Sequence, residues 1–144
     1  MKLEGKYTFK AARQKVWDVL LDQKVLASCL PGCERLEEVA PDQFEARLKI
    51  GVASVKGTYD GKVRILEKHP ISSYRMEVEG SGAPGFVKGE ATISLEDKGD
   101  KTDILYSGEA QIGGLVASIG QRMLGGVTKL MVNQFFKAME KKIQ

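Results

Sequence analysis

The amino-acid sequence predicts an α+β fold in which a curled antiparallel sheet packs its one apolar face against a long C-terminal helix. Three observations carry this. Apolar and polar residues alternate with period two through residues 34–112, Gly recurs on the apolar side of those runs, and from residue 114 the apolar spacing becomes helical. A sheet with one dry face and a helix with one apolar stripe each need the other to bury it.

The elements follow in order. Residues 2–9 alternate, with Leu3, Gly5, Tyr7 and Phe9 on one side and Lys2, Glu4, Lys6 and Thr8 on the other, as in a half-buried strand. In "AARQKVWDVLLDQKVLASCLPG", Val16 with Leu20 and Trp17 with Leu21 stand at i, i+4, and Val25, Leu26 and Leu30 form a second short group. This predicts two short helices, anchored by Trp17, broken near Asp22 and ended by Pro31-Gly32.

About six strands come next, with dry-side residues in residues 44–50, 55–65, 74–78, 87–95 and 104–112. Turn chemistry at "APDQ", "EKHPISS", "GSGAPG" and "EDKGDKT" connects them as hairpins. The Gly, Ser and Pro of "GSGAPG" suit a mobile loop, followed by an apolar Phe86 on the wet side. Gly57, Gly61, Gly89 and Gly108 lie on the dry side, where Gly marks bulges, bends or close backbone approach.

The last segment, residues 114–143, reads as one helix of about 45 Å at 1.5 Å per residue. Its apolar stripe is Val116, Ile119, Met123, Val127, Leu130, Met131 and Phe135. Gly120, Gly125 and Gly126 interrupt it, at about 1 kcal/mol each relative to Ala. Either they leave a void beside the sheet, or they let the helix pack tightly on Gly57, Gly61 and Gly89.

Composition sets the outer limits. The chain has 144 residues and a formal net charge of +3, with both signs interspersed, which argues against a nucleic-acid partner. No linker, repeat or low-complexity tract divides it, so residues 1–144 read as one domain. The N-terminus "MKLEGKYTFKAARQK" lacks the apolar run of a secretory signal, and Gln121, Arg122 and Lys129 break the most apolar stretch. The expected location is the cytoplasm, at most peripheral to the inner face of the membrane. Cys29 and Cys33 in "CLPGC" lack the second ligand pair of a zinc site and are expected to be structural.

Four stretches, "VWDVLLDQKVLASCLPGCERLE", "KIGVASVKGTYDGKV", "EGSGAPGFVKGEATISL" and "GGLVASIGQRMLGGVTKLMVNQFF", resemble the carbon monoxide dehydrogenase CoxG family within the START-like helix-grip (SRPBCC) superfamily. The resemblance implies a seven-stranded curved sheet wrapped around the C-terminal helix, with an apolar cavity between them for a lipophilic molecule. It also implies a non-catalytic accessory to a carbon monoxide dehydrogenase or related molybdenum hydroxylase, with a quinone as the molecule handled and peripheral membrane contact. No cofactor or metal is expected.

The residues offer little catalytic machinery. The sole histidine, His69, precedes Pro70 in a turn, and no carboxylate falls on the predicted dry face. No helix follows "GSGAPG", so a phosphate-cradling helix N-terminus is missing there. Arg122 either donates to a ligand or snorkels to solvent; Tyr59, Tyr74 and Tyr106 either offer hydroxyls to a ligand or serve as core aromatics. The expected pocket lining is Leu48, Tyr59, Met76, Val87, Tyr106, Ile119, Met123 and Val127, with Gly120, Gly125 and Arg122 beside it. Two alternatives stand against a carrier: an assembly module with a filled core, and a polyketide cyclase-like enzyme.

Overall fold

The computed structural model describes residues 1–52 and 55–143; Ala53 and Ser54, within one of the four quoted stretches, and Gln144 lie outside them. Strand β1 (Lys2–Phe9) leads into helices α1 (Arg13–Leu20) and α2 (Gln23–Cys29). Then follow β2 (Cys33–Ala40), β3 (Gln43–Ile50), β4 (Gly57–His69), β5 (Ser73–Gly82), β6 (Gly85–Asp97) and β7 (Thr102–Gly113). A 3-10 turn (Leu115–Ile119) precedes helix α3 (Gln121–Ile143). The seven strands form one antiparallel sheet in the order β1-β7-β6-β5-β4-β3-β2, so the first strand closes against the last.

Local chemistry sets these boundaries. The Asp22 carboxylate accepts from the N–H groups of Lys24 (2.9 Å) and Val25 (3.3 Å), capping α2 where the sequence predicts a break. Pro41-Asp42 turns β2 into β3, with Asp42 at φ 58°, and Ala83-Pro84 turns β5 into β6. "GSGAPG" is therefore mostly strand, a two-residue hairpin rather than a mobile loop. Its tip is fastened: the Pro84 carbonyl accepts from Val116 N–H at 2.8 Å, and the proline ring covers Gly57. Val55, read from the sequence as part of a strand, precedes the start of β4.

Alternation sorts side chains correctly. Phe44, Ile65, Tyr74, Ile93, Leu95 and Ile104 are buried on the inner face with Val16, Trp17 and Leu20 of α1 and Phe136 and Met139 of α3. Trp17 meets Tyr74 edge-on at 5.7 Å between ring centroids, and Phe136 stacks on Tyr7 at 5.1 Å and meets Phe9 at 5.9 Å. Such pairs add about 0.5–1.5 kcal/mol to the area they bury.

The C-terminal helix differs from its sequence reading in length and phase. Gly114 (φ 78°) and Gly120 (φ 95°) adopt left-handed backbone that L side chains rarely enter, so the chain leaves β7, makes one 3-10 turn and only then starts α3. Twenty-three residues give about 34 Å, not 45 Å. The buried seam is Leu124, Phe136 and Met139, with Val132, Phe135 and Ala138 packed partly beside it. Met123 (54% exposed) and Leu130 (46%) leave the expected stripe, which the break at Gly120 puts out of phase.

Candidate functional site

The inner face of the sheet has two ends. Near α1 and the C-terminal half of α3 it is filled by the buried cluster above. Toward the β5–β6 tip its residues are smaller and only half buried: Leu48, Tyr59, Val78, Val87, Ala91, Ala110 and Ile112, with Gly61, Gly80, Gly89 and Gly108 between them. Cross-strand pairing sets them side by side: Leu48 opposite Tyr59, Gly61 between Ala46 and Gly80, Val87 between Gly80 and Ile112, Gly89 between Val78 and Ala110.

The glycines of sheet and helix have different causes. A methyl group built on Gly89 would meet the Glu109 carbonyl oxygen at 2.5 Å and Ala110 Cα at 3.0 Å; Gly108 is crowded by the Glu90 carbonyl and Ala91, and Gly61 by the Glu79 carbonyl. These positions let neighbouring strands approach where the sheet curls. Built on Gly120, Gly125 or Gly126, the same methyl would meet nothing within 4 Å. Tight packing of the helix on Gly57, Gly61 and Gly89 is thereby excluded; the helical glycines border open space.

The expected lining residues separate accordingly. Leu48, Tyr59, Met76, Val87 and Tyr106 all share the inner face. Met76 and Tyr106 pack against the buried cluster, and the Tyr106 ring lies over Gly5, 5.8 Å from Phe136. Ile119, Gly125 and Val127 are half buried, whereas Gly120 and Arg122 are exposed like Met123.

Polar chemistry on this face is sparse. The Tyr59 hydroxyl donates to the Val55 carbonyl at 2.7 Å, while burial raises the pKa of Tyr59, Tyr74 and Tyr106 and keeps their hydroxyls protonated. Sequence reasoning missed one polar contact: the Tyr7 hydroxyl donates to Glu140 Oε2 at 2.6 Å, tying β1 to the end of α3. Burial, then the hydrogen bond and charge of Glu140, push the Tyr7 pKa up to about 12. A separation of 133 residues left no local signal for this pair.

Elsewhere, His69 is exposed at the end of β4. Cys29 is buried and Cys33 half buried, both as free thiols, and burial raises the Cys33 pKa, which suppresses its thiolate. No group of three His, Cys, Asp or Glu among the described residues is placed to hold a metal. A groove of about 570 Å³ crosses the outer face, but it is a solvated, mixed-charge surface in which Arg47 pairs with Asp60 at 3.1 Å and Lys88 with Glu79 at 3.8 Å. Phe86 stands at that groove over Gly113, 51% exposed.

A seven-stranded curled sheet with two short helices after its first strand and a long helix across its inner face defines a START-like helix-grip protein. The family model for the carbon monoxide dehydrogenase CoxG protein matches residues 5–144, and the chain belongs to that family. It is similar to the crystal structure of a conserved protein from Geobacillus kaustophilus, 41% identical over 99% of this chain and 95% of that one, with a TM-score of 0.97. The fold also recurs in a START superfamily protein from Mycobacterium smegmatis (13% identity; 99% and 96% covered; TM-score 0.77). It recurs again in the Zhui aromatase/cyclase from Streptomyces sp. R1128 (17%; 99% and 93%; 0.72). Comparison with the curated proteins finds no match.

Proposed function

We propose that this protein is a non-catalytic carrier for a lipophilic small molecule, a quinone or isoprenoid lipid, held between the glycine-rich end of the sheet and the first turns of α3. One observation carries the reading: the apolar residues at the glycine-rich end of the inner face are half buried rather than packed, and on α3 a methyl at half-buried Gly125 would meet nothing within 4 Å. Leu48, Tyr59, Val87 and Val127 line the site, with Met76 and Tyr106 at its floor. An apolar cavity costs about 24 cal/mol per Å³ when empty, so a ligand that fills it also stabilises the fold.

The family's name points to a carbon monoxide dehydrogenase as the partner served, or a related molybdenum hydroxylase. A molecule that dissolves only in lipid is collected at a membrane, and the proposed contact there is peripheral; no helix among the described residues is long and apolar enough to cross one.

Native mass spectrometry before and after adding a short-tailed quinone tests the reading. A defined adduct that Gly125→Leu abolishes supports it. No adduct with any lipophile tried would favour an assembly module with no ligand. The aromatase/cyclase likeness keeps an enzymatic reading in view; turnover of a polyketide substrate that Tyr106→Phe removes would establish it.

A further inference from the structure

We infer that the outer face of strands β3 to β6 is a docking surface for a second copy of this chain, paired about a two-fold axis that runs along the strands between β4 and β5. The face lies on the opposite side of the sheet from the proposed ligand site, so the inference stands independently of the carrier reading.

The observation is a pattern of charge across the strands. Cross-strand register sets three rows on the outer face: Glu45, Lys62, Glu79 and Lys88; Arg47, Asp60, Ser81 and Phe86; Gln43, Arg64, Glu77 and Glu90. The first two rows line the groove of about 570 Å³. All these side chains are exposed except Glu45 and Glu77, which are half buried. Arg47 holds Asp60 and Arg64 holds Glu77 within the chain, but Lys62 and Glu45 form no ion pair with another described residue.

A face that binds its own copy must be complementary to itself under the two-fold operation. An axis along the strands between β4 and β5 keeps each row and reverses the strand order, so β4 meets the second copy's β5 and β3 meets its β6. Lys62 then faces the partner's Glu79, Arg64 the partner's Glu77 and Glu45 the partner's Lys88. Arg47 faces the partner's Phe86, a guanidinium over an aromatic ring. Asp60 faces the partner's Ser81 and Gln43 the partner's Glu90, each a hydrogen-bond donor against a carboxylate. No like charges meet.

Other axes lack this match. Moved one strand over, the axis sets Glu37 against the partner's Glu79, or Glu77 against the partner's Glu90. Turned across the strands, it sets Lys62 against the partner's Lys62. Stacked sheets also keep their strands within about 30° of each other, as an axis along the strands requires. The patch is about 19 Å across its four strands and roughly 20 Å along them, the size of a weak, reversible contact. Phe86, 51% exposed, is its apolar anchor. The contact leaves α3 and the glycine-rich inner face of each copy pointing away from it.

The test is sedimentation equilibrium of the full chain over a range of concentration and salt. A monomer to dimer equilibrium that weakens with salt is expected. Lys62→Glu and Glu79→Lys should each weaken it about a hundredfold, because each sets like charges face to face twice in the dimer. An equimolar mixture of the two variants should recover it, since every reversed residue then meets its opposite, and a misfolded variant could not. Phe86→Ser should weaken it with the charges intact. A chain that stays monomeric at about 1 mM, a dimer that both reversals leave unchanged, or a mixture no more dimeric than its separate variants would each overturn the inference. The circular dichroism spectrum of each variant confirms that it is folded.

Discussion

The two ends of the sheet's inner face are built from the same strands, yet they do opposite things. β6 contributes Ile93 and Leu95 to the packed end, both buried, and Val87 and Gly89 to the other, both half buried. β7 divides likewise between Ile104, fully buried, and Ala110 and Ile112. One end of a strand can thus be packed into the core of a fold while the other stays half buried.

Truncation should expose this division most sharply. Ile104→Ala at the packed end is expected to lose about 3–4 kcal/mol of unfolding free energy in denaturant titration, whereas Val87→Ala loses about 1 kcal/mol or less and instead weakens quinone uptake. Equal losses at both sites would erase the distinction.

The glycines give the next contrast. Gly89→Ala drives a methyl into the Glu109 carbonyl and should destabilise by about 2 kcal/mol. Gly126→Ala meets open space and should stabilise by about 0.5–1 kcal/mol through helix propensity alone. Thermal melts of the two variants moving in opposite directions would separate sheet glycines from helix glycines.

The smallest effect concerns the Tyr7–Glu140 contact at the packed end. A tyrosine whose folded pKa is raised contributes stability that is complete below its ordinary value of 10.0 and is lost as pH rises toward about 12. Denaturation of wild type and Tyr7→Phe between pH 9 and 12 should therefore show the two curves converging with rising pH. Parallel curves would mean that the Tyr7 pKa is the same in the folded and unfolded states.

The sheet is legible in the sequence because alternation is local: a run such as Val87, Gly89, Ala91, Ile93, Leu95 assigns its own face without knowledge of its neighbours. The helix is harder. Residues 121–139 are apolar on most sides, and counting from Val116 through Gly120 carries the wrong phase into α3, which puts Met123 in the lining in place of Leu124. The dihedral break at Gly120 resets that count. The inner-face candidates from the strands are legible for the same reason as the strands themselves, while the Tyr7–Glu140 bond depends on how the chain's two ends meet.

That meeting has a temporal side. β1 is made well before β7, its one sheet partner among the described residues. At roughly 5–20 residues per second, the hundred or so residues between them take about 5–20 s to synthesise. Throughout that interval β1 has no neighbour to pair with, and its alternating Lys2, Glu4 and Lys6 keep the waiting edge in water rather than against another chain.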